Sequence, residues 1–253
     1  MAGRKGQRKP RQYFSSEKYE NVVSIQDYER HHRSWSFHNI AHIKPLTDTQ
    51  KEMFERFAEG HHVVAYGSAG TGKTFIALYL ALTEILHPAS RRKKIILVRS
   101  AVPTRDLGYL KGTLEEKIAI YEQPYISVLY ELVGRPSTYE DMKKEGLIEF
   151  CTTSFVRSLT WSNALIIIDE GQSMTFHEIN SVITRLGENS RLIFLGDLAQ
   201  NDLINKKQEV SGMARFLSIA EHIEEIKIVH FTHEDIVRSP FVKSWIIASE
   251  NTP

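Results

Sequence analysis

The stretch Gly67-Ser68-Ala69-Gly70-Thr71-Gly72-Lys73-Thr74 constrains this chain more than any other. It has the spacing G-x-x-x-x-G-K-[ST], in which glycines let the backbone curl until successive N–H groups converge on an anion. Such a loop works between a strand and a helix, because the helix adds its positive N-terminal end at the same place. Both flanks have that character. "HHVVAYG" (61–67) reads as a short buried strand, and "KTFIALYLALTEIL" (73–86) reads as a helix. Lys73 then reaches the β- and γ-phosphates of a nucleoside triphosphate, and the Thr74 hydroxyl ligates Mg²⁺.

The remaining chain supplies a sheet for this loop to sit on. "LTDTQKEMFERFAEG" reads as a helix with Thr47 as N-cap and Gly60 near its end. "KKIILVRS", "GLIEFCTT", "ALIIIDE", "RLIFLGD" and "EIKIVHFT" read as strands, with helical stretches such as "TFHEINSVITRL" between them. A long connection separates the first two. Short apolar runs alternating with helices predict a three-layer α/β domain with a mostly parallel sheet. Residues 1–44 are polar and mixed, so the expected organisation is an irregular extension over 1–44 and one domain over 45–253.

"ALIIIDEGQ" places Asp169 and Glu170 at the end of a wholly apolar strand. Paired carboxylates at a sheet's carboxyl edge suit a neighbouring phosphate site. Asp169 would hold Mg²⁺ through water and Glu170 would polarise the attacking water. A kinase for a small hydroxyl substrate often lacks that second acid, whereas a water-activating ATPase needs it. "LIFLGDLAQND" adds Asp197 and Gln200, the latter able to sense a γ-phosphate or to sit exposed in a turn. Gln50 fits a capping box with Thr47, and that is the reading its pattern favours. Arg238 in "HEDIVRSPFVKSW" is either a surface arginine before a proline-terminated turn or a γ-phosphate contact.

Charge alone names no partner, since 32 Lys and Arg face 31 Asp and Glu. The first twelve residues carry five basic groups and no acid, which suits either a solubilising tail or nucleic-acid contact. One cysteine, Cys151, excludes an internal disulfide and fits a reducing compartment. No apolar run approaches the ~20 residues of a membrane span, and no signal-peptide segment opens the chain. A soluble intracellular protein without membrane contact is expected. His31, His32, His38 and His42 match no helical metal-pair spacing and read as polar surface or packing residues.

In order along the chain, "PLTDTQ", "GSAGTGKT", "LGYLKGTLEEK", "IIIDEGQ", "TRLG", "GDLAQNDL" and "DIVRSPFV" resemble the phosphate-starvation-inducible PhoH-like ATPases, relatives of the superfamily 1 helicase core. The resemblance runs from about Pro45 to Lys243. It implies a RecA-like P-loop NTPase, ATP and Mg²⁺ as cofactors, and a bacterial or infected-bacterial cytoplasm. It makes Gln50 the adenine reader, Gly67 to Thr74 the phosphate cradle, Asp169 and Glu170 the metal and water pair, Gln200 the γ-phosphate sensor and Arg238 a candidate arginine finger. Arg99, Arg105, Lys111 and Lys117 lie where helicase relatives touch a phosphate backbone, unless they are a solvated loop partnered by Asp106, Glu115 and Glu116. Ser100 and Lys111 stand where the family usually has Pro.

The function expected from the resemblance is an ATPase that remodels or translocates on RNA or single-stranded DNA. An ATP-loaded binding module with slow hydrolysis is the alternative, and a P-loop kinase a third. Superfamily 1 helicases close ATP between two such domains, and this chain has residues for one. A homo-oligomeric ring, a hexamer, is therefore expected, with Arg238 or else Arg185 of "TRLG" reaching a neighbour's site.

Overall fold

A computed structural model of the chain describes residues 35–100, 114–158, 160–197 and 211–251. The chain divides into two compact units, Met1–Trp35 and Ser36–Pro253, and the description below concerns the second.

Six strands form one sheet: β1 (His62–Gly67), β2 (Lys94–Arg99), β3 (Ile148–Thr152), β4 (Ala164–Asp169), β5 (Arg191–Gly196) and β6 (Ile226–Phe231). Their spatial order is β3-β2-β4-β5-β1-β6, and every neighbouring pair is parallel. β4 and β5 are buried at every position, while the edge strands β3 and β6 are only partly covered. Central strands covered on both faces need apolar residues throughout, which is why they read as unbroken apolar runs.

Alternation sorts those residues between two layers. Val64, Ile96, Val98, Ile166, Ile168 and Phe194 pack with Ile179 and Val182 of α5 (Phe176–Ile183) and with Met213, Phe216 and Leu217 of α6 (Met213–Ala220). On the other side α2 (Lys73–Leu86) packs on β2, β4 and β5, and α1 (Asp48–Ala58) and α3 (Leu114–Val133) pack against α2. Eight of the residues of α2 are buried, from Ile76 to Ile85, so it is a core helix, apolar nearly all round.

The α1 ends follow from their caps. The Thr47 hydroxyl accepts from Gln50 N, and Gly60, at φ 98°, closes a Schellman turn through Gly60 N to Phe57 O and His61 N to Arg56 O. Between β2 and β3 the expected long connection carries two helices among its described residues, α3 and α4 (Thr138–Lys144). Pro124 lies inside α3, where a helix-breaking residue masked an otherwise helical series of buried Glu122, Tyr125, Leu129 and Leu132. Glu122 clasps the two helices, accepting from Tyr139 Oη at 2.8 Å and Lys143 Nζ at 2.6 Å. The last helix, α7 (Pro240–Asn251), begins at Pro240. The proline after Arg238 therefore opens a helix rather than ending a turn.

Candidate nucleotide site

The site assembles at the carboxyl edge of the sheet. β5 lies between β1 and β4, so the glycine loop and the acidic pair stand one strand apart. Gly67 leaves β1 at φ 123°, and a Cβ there would lie 1.8 Å from the Phe231 carbonyl of β6. Only glycine permits that approach. Gly72, at φ 85°, opens α2 without any side-chain cap, which leaves the first-turn N–H groups for an anion.

Lys73 Nζ is held at the centre of the loop, 2.7 Å from both Gly67 O and Ser68 O. Burial lowers its pKa, and the carboxylates of Asp197, Asp169 and Glu170 oppose that shift. Thr74 Oγ1 donates to Asp169 Oδ1 at 3.2 Å. Asp169 also accepts from Glu170 N at 3.1 Å and from the buried Tyr125 hydroxyl of α3 at 3.1 Å. Its pKa is nevertheless raised, by burial first and then by Glu170, with Arg99 pulling the other way. A hydroxyl beside a carboxylate is a hard oxygen pair of the kind that suits Mg²⁺, and a buried anion gains from a nearby cation. The residues present fit the metal.

Glu170 adopts a left-handed conformation, φ 54° and ψ 42°, as the chain turns sharply out of β4. A non-glycine residue there carries strain of about 1–3 kcal/mol. Gln172 fixes its carboxylate, donating to Glu170 Oε2 at 2.6 Å while accepting from Asp197 N at 3.0 Å. Gln172 and Tyr125 were missed as site residues by sequence reasoning. Gln172 sits in the quoted "IIIDEGQ" with no pattern marking its role, and Tyr125 arrives from 44 residues away.

Gln50 is buried beside the loop and departs from the full capping box. Its backbone N–H bonds Thr47, but its side chain accepts from Leu46 N at 2.7 Å and donates to Thr71 O at 3.0 Å. The amide thus ties the segment before α1 to the glycine loop, and it lines the cleft with one N–H and one lone pair still unspent. The cleft measures about 670 Å³ and is bordered by Ala69, Gly70, Thr71, Lys73, Thr74, Asp169, Glu170 and Asp197.

Arg238 lines this cleft in its own chain, with its Cγ 3.0 Å from where a Gly70 Cβ would stand. Arg185 lies past α5, outside the cleft lining, and its carbonyl accepts from Trp161 N. Arg99, expected on a nucleic-acid surface, lines the nucleotide cleft, in register with Asp169 on the neighbouring strand. Gln200, Arg105 and Lys111 lie outside the described residues, and Lys117 falls in the first turn of α3. No helix among the described residues is long and apolar enough to cross a membrane.

Residues 42–250 match the family described as PhoH-like protein. The chain belongs to the PhoH-like family. A PhoH-like protein of Synechocystis is 33% identical over 214 residues, covering 83% of this chain and 64% of that protein. Protein PhoH of Escherichia coli K12 is 36% identical over 179 residues, covering 70% of this chain and 49% of that protein. The PhoH-like chain thus spans about half to two thirds of the length of these relatives. The large terminase of bacteriophage HK97 shares the fold, with a TM-score of 0.51 at 13% identity over 85% of this chain and 49% of that one. Family and sheet order make this a PhoH-like chain with a P-loop NTPase fold.

Proposed function

We propose that this PhoH-like protein is a Mg²⁺-dependent cytoplasmic ATPase that couples hydrolysis to binding, remodelling or translocating RNA or single-stranded DNA as a ring of copies. One observation carries the hydrolytic part: the Thr74 hydroxyl meets Asp169 at 3.2 Å, with Glu170 adjacent and anchored by Gln172. Lys73 and the N–H groups opening α2 bind the phosphates, and Gln50 offers its remaining donor and acceptor to adenine. Thr74 and Asp169 would hold Mg²⁺, which when bound neutralises charge between the outer phosphates. Gln172 occupies Glu170 Oε2, leaving Oε1 to take the proton of the attacking water. Gln200 as γ-phosphate sensor and Arg238 as in-chain phosphate contact complete the proposed set.

The polymer part draws on the basic residues Arg105, Lys111 and Lys117. The ring draws on α7. Ile246 packs against the glycine loop and Glu250 pairs with His233, while Phe241 and Trp245 stand 76% and 67% exposed one turn apart. Two large aromatics exposed one turn apart form an apolar surface patch, and contact with another copy would cover it.

Steady-state ATP turnover with and without RNA and single-stranded DNA tests the reading. Strong stimulation by either polymer is expected. Slow turnover that neither polymer changes would instead fit a nucleotide-loaded binding module.

A further inference from the structure

β2 ends at Arg99, which pairs directly with Asp169 in the parallel register of β2 and β4. Its guanidinium rests 5.6 Å over the ring of Tyr121, on the face of α3 that also sends Tyr125 to Asp169. The side chain is half-buried and lines the same cleft as Lys73, Thr74 and Glu170. Among the described residues, no carboxylate lies within ion-pair distance of its guanidinium and no guanidinium N–H is hydrogen-bonded, the Tyr121 ring being its contact. A partly desolvated guanidinium with its whole donor fork unspent calls for an anion. The anion this cleft is built to hold is a nucleotide phosphate.

Position decides which phosphate. Lys73 rises from the glycine loop on β1, and Arg99 stands on β2, on the far side of the acidic strand β4 from that loop. A group meeting both lies over Asp169 and Glu170, where the terminal phosphate and the attacking water must be. We propose that Arg99 is an in-chain arginine that donates to the terminal phosphate of the bound triphosphate and stabilises charge developing there, with Tyr121 positioning it. This rests on the hydrolytic reading of the site. The planar fork suits two phosphate oxygens at once, and being fixed on a strand end it needs no rearrangement as charge grows.

The test compares Mg²⁺-dependent binding of a fluorescent non-hydrolysable ATP analogue and of the matching ADP analogue. Arg99→Ala should weaken the triphosphate about 10-fold or more, the effect of one charge-assisted contact, and leave the diphosphate within about two-fold. Arg99→Lys, which keeps the charge without the fork, should recover part of that loss. Turnover of Arg99→Ala should fall by about 10²–10³. Equal weakening of both nucleotides would mean that Arg99 only shapes the cleft, and overturns the proposal. So would unchanged nucleotide binding with weakened RNA or single-stranded DNA affinity, which would return Arg99 to the polymer. Lys73→Ala runs alongside: if it binds both nucleotides like wild type, the glycine-loop reading itself fails, whatever Arg99 does. If Arg99→Ala melts below the assay temperature, Arg99→Gln carries the same comparison.

Discussion

Beneath the cleft, the Asp169 carboxylate accepts from Thr74, Tyr125 and the Glu170 amide, and burial beside Glu170 still raises its pKa. A carboxyl group with a raised folded-state pKa contributes its full stability below the ordinary Asp value of about 3.9. That contribution is lost as pH rises through the raised value. Once ionised, Asp169 is a charge that burial in the ligand-free protein disfavours. Asp169→Asn removes the charge and keeps the shape, and the Thr74 and Tyr125 hydroxyls can turn to accept from the new amide. Calorimetry without ligand should show a higher melting temperature than wild type at pH 7, with the gain vanishing towards pH ~4. Mg²⁺-dependent nucleotide binding should be lost. A lower melting temperature at pH 7 would show that the three donors outweigh the burial. Glu170→Gln separates the second acid from the first. It leaves Thr74 and Asp169 in place, so equilibrium Mg²⁺-nucleotide binding should stay near wild type while single-turnover hydrolysis falls by about 10²–10⁴. At this scale the glycine loop and acidic pair were legible because their chemistry is local in sequence. Tyr125 was not, since nothing near it announces a partner 44 residues on.

Strands β1, β2, β4 and β5 were legible for a physical reason. A parallel strand covered on both faces must be apolar at consecutive positions, and few other elements of that length are. α3 and α7 were not, because each contains a proline that argues locally against a helix. In α3 the buried series outweighs Pro124, and in α7 Pro240 sits at the start, where a missing N–H costs little. How the elements lock together was also hidden. Arg191, the first residue of β5, is buried at the sheet end opposite the nucleotide cleft. It donates to Phe57 O at the end of α1 and to His61 O at 2.7 Å, stacks 3.7 Å over the Phe57 ring, and pairs with Glu84 of α2 at 3.5 Å. Burial pushes its pKa down to about 10, so it stays charged at neutral pH. Arg191→Met keeps the packing length but removes a donor from the Phe57 and His61 carbonyls and takes one of the two arginines from Glu84. Chemical denaturation should show a loss of about 1–3 kcal/mol, since Arg92 at 2.7 Å still pairs Glu84. Nucleotide affinity of the folded fraction should be unchanged, because the substitution is a full strand length from the glycine loop.

The proposed ring draws on what one copy leaves open. Phe241 and Trp245 stand exposed on α7, and α7 lies against the glycine loop through Ile246, whose Cδ1 is 3.2 Å from where a Gly70 Cβ would stand. A second copy seated on that face would therefore touch the element that backs the phosphates. It would also exclude water from a cleft whose charges act more strongly in a dry surrounding. Because both side chains are exposed, Trp245→Glu should leave the melting temperature of the separated protein nearly unchanged. Light scattering with ATP and Mg²⁺ should show wild type as a multiple of the chain mass and the variant as single copies, with turnover reduced. A wild type that stays single and fully active would remove the ring. The same assembly decides how Arg238 works. Mixing Glu170→Gln with Arg238→Ala subunits creates interfaces where an intact Glu170 faces an intact Arg238 from the neighbour. If Arg238 reached across, activity would partly return. Its Cγ instead lies against the Gly70 of its own loop, so the expected outcome is a mixture that co-assembles and remains inactive.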